Sequence, residues 1–210
     1  MIKRLFDLML AAFGLLASLP LWIVIPAAIK IEDGGPVFFP QERVGLGGRT
    51  FQAMKFRSMI PHAEALSGPV QAAENDPRVT RVGRLLRATA MDELPQLWNI
   101  LIGDMSFVGP RPLRPGEIDV ADDGRLVRLE EIPGYDLRHL ARPGLTGLAQ
   151  VYGARDLRRS DKFRLDRLYL RKAGLCLDLK LLVLSFWITG RAEWERRDRN
   201  LLAKRKRDSL

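Results

Sequence analysis

From Leu8 to Ile29 the chain carries no charged residue, although the protein as a whole is strongly charged. A run of that length is enough to cross a bilayer, which takes about 20 apolar residues. Three readings compete. A signal peptide has an apolar stretch of about 7–15 residues and a small-residue cleavage site. This run is longer and offers no convincing Ala-x-Ala site. A helix that spans squarely puts its flanks on opposite sides of the membrane. Yet Lys3 and Arg4 precede the run, and Lys30, Arg43, Arg49, Lys55 and Arg57 follow it. The positive-inside tendency draws both flanks to the cytoplasm. A re-entrant anchor satisfies both. Pro20 interrupts the run and Pro26 follows; an interior proline removes a backbone hydrogen bond and clashes with the preceding turn. Ser18 offers a hydroxyl to a carbonyl freed at such a break. Two half-helices of about a dozen residues reach roughly 18–20 Å each. That enters a hydrocarbon core about 30 Å thick without crossing it squarely. The expected organisation is an anchor over 1–33, a cytoplasmic domain over 34–190 and a basic tail over 191–210.

Charge narrows the partners. Lys and Arg number 34 against 25 Asp and Glu, a formal net charge of +9. Such a chain seeks membrane headgroups, nucleic acid or phosphorylated substrates. The single cysteine, Cys176, excludes an intrachain disulfide, and His62 and His139 lie too far apart in sequence to suggest zinc ligands.

Past the Gly34-Gly35-Pro36 break, Val37-Phe-Phe and Thr50-Phe-Gln-Ala-Met-Lys-Phe read as the strands of a β-hairpin over 37–57. Gly45-Leu-Gly-Gly is its turn; no helical pattern follows, as a phosphate loop would need. Lys55-Phe56-Arg57 closes the hairpin, with a wet strand face as its plain reading. Residues 60–77 read as a loop with a short helix. Arg81, Arg84 and Arg87 recur at i, i+3, i+6, which lines one helix face. That face is either solvated or aimed at a phosphate-rich ligand, which planar guanidinium groups suit.

Asp92 and Glu93 stand just before Pro95, and Leu97, Trp98 and Leu101 follow at helical spacing up to Gly103. The two acids are therefore expected at or just ahead of a helix N-terminus, where the helix dipole favours negative charge. Acids commonly decorate helix starts. Here the arginines before them and Gly109-Pro-Arg-Pro112 after them favour chemistry. Proline fixes φ, so Arg111 has little backbone freedom, as suits a phosphate clamp. Residues 116–140 read as a charged, solvated helical stretch. Residues 142–155 read as a glycine-rich loop with Arg142, Thr146, Gln150 and Arg155 as polar handles. Residues 161–171 form an amphipathic helix. Leu175–Ile188 is too short and too charged to span, so it docks at an interface or packs in the core. The tail carries Trp194 and Lys204-Arg-Lys-Arg207. It suits anionic lipid or nucleic acid, or is disordered.

Read together, these stretches resemble the bacterial sugar transferase family, the monotopic phosphoglycosyl transferases. The resemblance runs in order over nearly the whole chain: Lys3-Arg-Leu-Phe-Asp7, Pro36-Val-Phe-Phe, Lys55-Phe-Arg-Ser-Met59, Asn75-Asp-Pro-Arg-Val-Thr80, Arg87, Asp92-Glu-Leu-Pro-Gln-Leu-Trp-Asn99, Gly103 to Pro112, Arg142-Pro-Gly-Leu-Thr-Gly147, Ala149-Gln-Val151 and Asp178-Leu-Lys180. The chain looks like the family's small catalytic form. The resemblance implies an α+β, mainly helical fold: a re-entrant membrane helix broken at Ser18 and Pro20, a small hairpin, and amphipathic interfacial helices around the active site. It implies transfer of a sugar-1-phosphate from a nucleoside diphosphate sugar, usually a UDP-sugar, to polyprenyl phosphate on the cytoplasmic face of the bacterial inner membrane. UMP leaves, and the step begins surface glycan synthesis. By position it makes Asp92 the covalent nucleophile and Glu93 the Mg²⁺ ligand. Arg87 and Arg111 hold phosphate oxygens, with Lys55, Arg57 and Arg142 in support. Membrane lipid is an expected partner and nucleic acid is not. The alternatives are direct metal-assisted transfer between the same substrates, a membrane-tethered nucleic-acid-binding protein, and a structural scaffold.

Overall fold

The computed structural model describes residues 2–61, 63, 76–120, 125–153 and 157–191. It is α+β and mainly helical, with three two-stranded sheets among the described residues. The chain forms two compact units. One comprises the chain through Gln41 and then Gln52–Gly103; the other comprises Glu42–Phe51 and Asp104–Ile188.

In the first unit, α1 (Ile2–Ala17) and α2 (Leu21–Asp33) meet at a 60° bend. The break falls at Ser18-Leu19-Pro20, where the sequence places it. Pro20 is the residue before α2, a position that needs no amide donor. The Ser18 hydroxyl donates to Leu15 O at 3.2 Å and accepts from Trp22 Nε1 at 3.1 Å, so one side chain spans the break. Pro26 is accommodated inside α2. Among the described residues no single helix is long and apolar enough to cross a membrane, whereas the bent pair together meets that length and composition. Ala11, Ile25 and Ile29 are buried, while Leu5, Met9, Phe13, Leu16, Ile23 and Ile31 are exposed. Exposed large apolar side chains in this number mark an interaction face.

The predicted hairpin is present as β1 (Phe38–Val44) and β2 (Thr50–Phe56). Its base joins α2 and α3 (Arg81–Ala88) around Ile25, Ile29, Phe56 and Leu86, with Trp22, Met91 and Leu94 packed against them. The N-terminus of α3 is capped twice. Thr80 Oγ1 accepts from Gly83 N at 2.9 Å, and the Glu32 carboxylate accepts from Arg81 N and Val82 N at 2.6 and 3.1 Å. Helix α4 (Gln96–Ile102) is seated by three contacts. Arg4 donates to Ile100 O and Leu101 O at 2.6 and 2.8 Å, supplying donors and positive charge where a helix end lacks both. Leu97 lies so close to Gly14 that a Cβ there would be 3.2 Å from it. Buried Asn99 bonds β2 as another strand would: Nδ2 to Gln52 O at 2.8 Å, and Met54 N to Oδ1 at 3.0 Å.

In the second unit, β3 (Ser106–Val108) pairs in parallel with β6 (Gly144–Thr146), and β4 (Ile118–Val120) pairs antiparallel with β5 (Leu126–Arg128). These strands correct two expectations. The stretch 116–140 is not one helical segment. It holds the β4–β5 ladder and then α5 (Tyr135–Arg138), after Pro133-Gly134 breaks the chain. The stretch 142–155 is not all loop: β6 and α6 (Leu148–Tyr152) lie within it. Three-residue strands carry no periodicity of their own; pairing across the fold creates them. Helix α7 (Arg159–Lys172) is amphipathic as expected, and α8 (Leu175–Gly190) packs Leu181, Leu182 and Ile188 inward. Val183, Phe186 and Trp187 of α8 stay exposed. Leu113, Leu129 and Phe163 form this unit's core. Most of 60–77, Arg155 and the tail beyond Arg191 lie outside the described residues.

The β3–β6 pair permits no added bulk. A Cβ on Gly144 would stand 2.1 Å from Gly109 N and 2.4 Å from Thr146 O. Gly144→Ala therefore lowers stability by about 3 kcal/mol or more in a thermal or denaturant melt. Gly190→Ala, with open space around its Cβ, leaves the melt nearly unchanged. Asn99→Ala leaves two backbone groups of β2 unpaired, and the same melt falls by roughly 2 kcal/mol.

Candidate active site

The acid pair sits on a short, sharply set turn. Helix α3 ends at Ala88, and the Thr89 hydroxyl donates back to Leu85 O at 2.8 Å. Ala90 then adopts φ 54°, ψ 19°, a left-handed conformation that costs a non-glycine residue about 1 kcal/mol. It redirects the chain into a 3-10 turn over Met91–Glu93. Glu93 N and Leu94 N each donate at 3.2 Å, to Ala90 O and Met91 O, and Pro95 leads into α4. Met91 and Leu94 are packed into the core around Phe56 and Leu86. The apolar residues on either side of the acids thus pin the turn. The acids stand ahead of the helix, as the proline predicts. Ala90 is the residue that sequence reasoning misses, because alanine gives no turn signal.

Asp92 and Glu93 have different surroundings. Asp92 is 9% exposed. Glu93 Oε1 meets Lys55 Nζ at 2.8 Å, with both side chains largely shielded from solvent. The pairing follows from the seating of α4. Asn99 bonds the backbone of Gln52 and Met54, which fixes β2 beside α4, and Lys55 is the next residue. Arg87 is half-buried on α3, while Arg81 and Arg84 are exposed.

Arg57 is placed unlike Arg87, Arg111 and Arg142. It is buried, and its donors go to protein oxygens: Nη1 to Asp33 Oδ2 at 2.7 Å, Nη2 to Asp33 Oδ1, and Nε to Pro36 O at 2.6 Å. Gly35 lacks a Cβ where this guanidinium lies, 2.7 Å away. As placed, Arg57 ties the end of α2 to the hairpin and serves the fold. The wet-face reading of Lys55–Arg57 fails for the same reason: Phe56 points inward as alternation requires, but Arg57 is buried and Lys55 is largely shielded.

In the second unit, Arg111 and Arg142 are both exposed. They come from two backbone segments that interlace. Gly109 N donates to Thr146 O and Gly144 N to Pro110 O, each at 2.9 Å. A Cβ on Gly109 would lie 2.4 Å from Arg142 O, so glycine is required for this approach. Burial, with Arg138 beside it, pushes the His139 imidazole down to about 4, so at neutral pH it adds no positive charge.

Among the described residues no group of three or more His, Cys, Asp or Glu side chains converges as a metal cage. The acid turn instead presents two consecutive carboxylates. That donor set fits Mg²⁺, which takes one or two carboxylates and completes its shell with phosphate oxygens and water.

The family model described as bacterial sugar transferase matches residues 1–191. The chain is 43% identical over 188 residues to an undecaprenyl-phosphate glucose phosphotransferase of Komagataeibacter xylinus, covering 87% of this chain and 35% of that protein. It is 45% identical over 188 residues to a UDP-glucose:undecaprenyl-phosphate glucose-1-phosphate transferase of Caulobacter vibrioides, covering 86% of this chain and 67% of that one. It is 37% identical over 193 residues to the exopolysaccharide production protein ExoY of Rhizobium meliloti, covering 85% and 81%. The chain thus spans about a third of the first of these relatives and most of the last. With a family match from residue 1 to 191, the chain belongs to the bacterial sugar transferase family.

Proposed function

We propose that the chain transfers a sugar-1-phosphate from a UDP-sugar to polyprenyl phosphate, through a covalent intermediate on Asp92. The observation that carries this reading is the acid turn. Two adjacent carboxylates are fixed by apolar neighbours and a proline, and Glu93 faces the Lys55 ammonium. The names of the Komagataeibacter and Caulobacter relatives support the substrates, and make UDP-glucose the first donor to test.

In this mechanism an Asp92 oxygen attacks the β-phosphorus of the UDP-sugar. The bond from that phosphorus to the bridging oxygen breaks, and UMP leaves with the electron pair. A phosphate oxygen of polyprenyl phosphate then attacks the phosphorus of the acyl phosphate, which releases the lipid diphosphate sugar and restores Asp92. Phosphoryl transfer depends chiefly on positioning and charge stabilisation. Glu93 would hold Mg²⁺, which when bound neutralises phosphate oxygens as charge shifts. Lys55 keeps the Glu93 carboxylate in place and offers an ammonium to phosphate. Arg87, Arg111 and Arg142 are proposed as ligands of phosphate oxygens, which guanidinium groups grip in pairs.

The bent α1–α2 pair is read as re-entrant in the bacterial inner membrane, with both ends and the rest of the described chain on the cytoplasmic face. Its support is the 60° break at Ser18–Pro20, the exposed apolar face, and cations at both ends. A shallow anchor of this kind holds the chain at the headgroup plane, where the phosphate of a lipid acceptor lies.

With UDP-glucose labelled at the β-phosphate, acid-quenched wild type retains label on the protein. Asp92→Asn retains none and loses at least about a thousandfold in turnover. An active wild type with no trapped label would favour direct transfer. For topology, Ile2→Cys and Ile31→Cys in a Cys176→Ser background should both react with an impermeant maleimide from the cytoplasmic side alone. Labelling from opposite sides would contradict re-entry.

A further inference from the structure

The turn that carries Arg111 is braced by more than its prolines. Four successive carbonyls, from Pro110 to Leu113, each accept a hydrogen bond. The outer two use backbone donors: Gly144 N to Pro110 O at 2.9 Å and Val44 N to Leu113 O at 2.8 Å. The inner two use arginine side chains. Arg138 Nη2 donates to Arg111 O at 2.7 Å, and Arg43 Nη1 donates to Pro112 O at 3.0 Å.

Arg138 is an unusual residue to find there. It is 3% exposed, so it cannot reach a substrate itself. The same Nη2 lies 2.9 Å from Asp166 Oδ2, and Nε lies 3.1 Å from that oxygen; Asp166 is 2% exposed. The guanidinium carbon sits 4.6 Å over the Phe163 ring, and Nη1 has no hydrogen-bond partner among the described residues. A buried ion pair is a poor source of stability, because desolvating both charges offsets their attraction. What the pair does provide is direction. The carboxylate on α7 aims the fork of Arg138, and the fork fixes the peptide of Arg111. The Arg111 side chain on that peptide is exposed.

We propose that Arg138 is a positioning residue for the transfer reaction, with Arg43 as a second brace. By fixing the Arg111 backbone, it lets the Arg111 guanidinium meet substrate phosphate in one orientation. The inference rests on the reading of Arg111 as a phosphate ligand. Displacing a binding group by an ångström costs on the order of a hundredfold in rate, which sets the scale of the effect.

The test is a double-mutant cycle on the full chain in lipid vesicles, using UDP-glucose and polyprenyl phosphate, with a thermal melt of each variant. Arg138→Lys keeps a positive charge beside Asp166 but cannot serve both oxygens with a planar fork. It is expected to lower kcat/KM by about 10- to 100-fold. In an Arg111→Ala background the same substitution should have little further effect, because the group it positions is gone. Arg43→Met, at a less buried site, should behave likewise, so the inference stays testable if Arg138→Lys folds poorly. A merely structural role would lower activity by the same factor in both backgrounds, and that result would overturn the inference alone. Wild-type activity in both Arg138→Lys and Arg43→Met would also overturn it alone. An Arg111→Ala variant as active as wild type would overturn the Arg111 reading and the inference together.

Discussion

The amide of Asn99 is the contact on which the first unit's chemistry depends. Through one side chain, α4 is bonded to the backbone of Gln52 and Met54 as a strand would be. A helix normally spends its backbone groups internally, so it meets a sheet edge only through side chains. Asn99 carries both a donor and an acceptor, and can replace a strand's peptide group. The consequences run in both directions along the chain. Lys55 follows Met54, and Pro95 opens α4, so the same amide sets the distance that the Lys55–Glu93 pair closes. Arg4 then holds the far end of α4 against α1, and the Gly14–Leu97 contact holds its first turn. The acid turn is thus supported through a helix that is itself tied to the anchor and to the hairpin.

The cations divide by burial, not by where they stand in the sequence. Arg4, Arg43, Arg57 and Arg138 all donate to main-chain carbonyls. Arg84, Arg111 and Arg142 are exposed. The net charge of +9 alone cannot separate these groups. Several of its arginines are used inside the fold, where a five-donor fork can satisfy carbonyls that no backbone amide reaches. Arg57 shows the difference well. It belongs to a cluster that suggests phosphate binding, yet its burial against Asp33 makes it a strut between α2 and the hairpin.

Much of the first unit was legible in the sequence because its signals are local. Prolines mark the break before α2 and the start of α4. Alternation marks the hairpin, and helical spacing marks α3. The acid pair ahead of Pro95 was expected, and the Ser18 hydroxyl does bridge the break. The second unit was less legible because its order comes from distant contacts. Strands β3 and β6 are three residues each and exist through pairing with one another. The helical reading of 116–140 followed charge density, while the fold pairs Ile118–Val120 with Leu126–Arg128 in a short ladder. Ala90, Arg138 and Asp166 gave no signal. An alanine in left-handed conformation, and a charged pair fully removed from water, are choices that local propensity argues against and tertiary packing enforces.

The central claim is that the acid turn passes the phosphosugar through Asp92 rather than directly between substrates. Isotope exchange between labelled UMP and unlabelled UDP-glucose, with Mg²⁺ present and polyprenyl phosphate absent, tests it most directly. A covalent intermediate forms and reverses without the lipid acceptor, so wild type is predicted to place label in UDP-glucose. An enzyme that turns over fully with lipid yet exchanges no label without it would contradict the account.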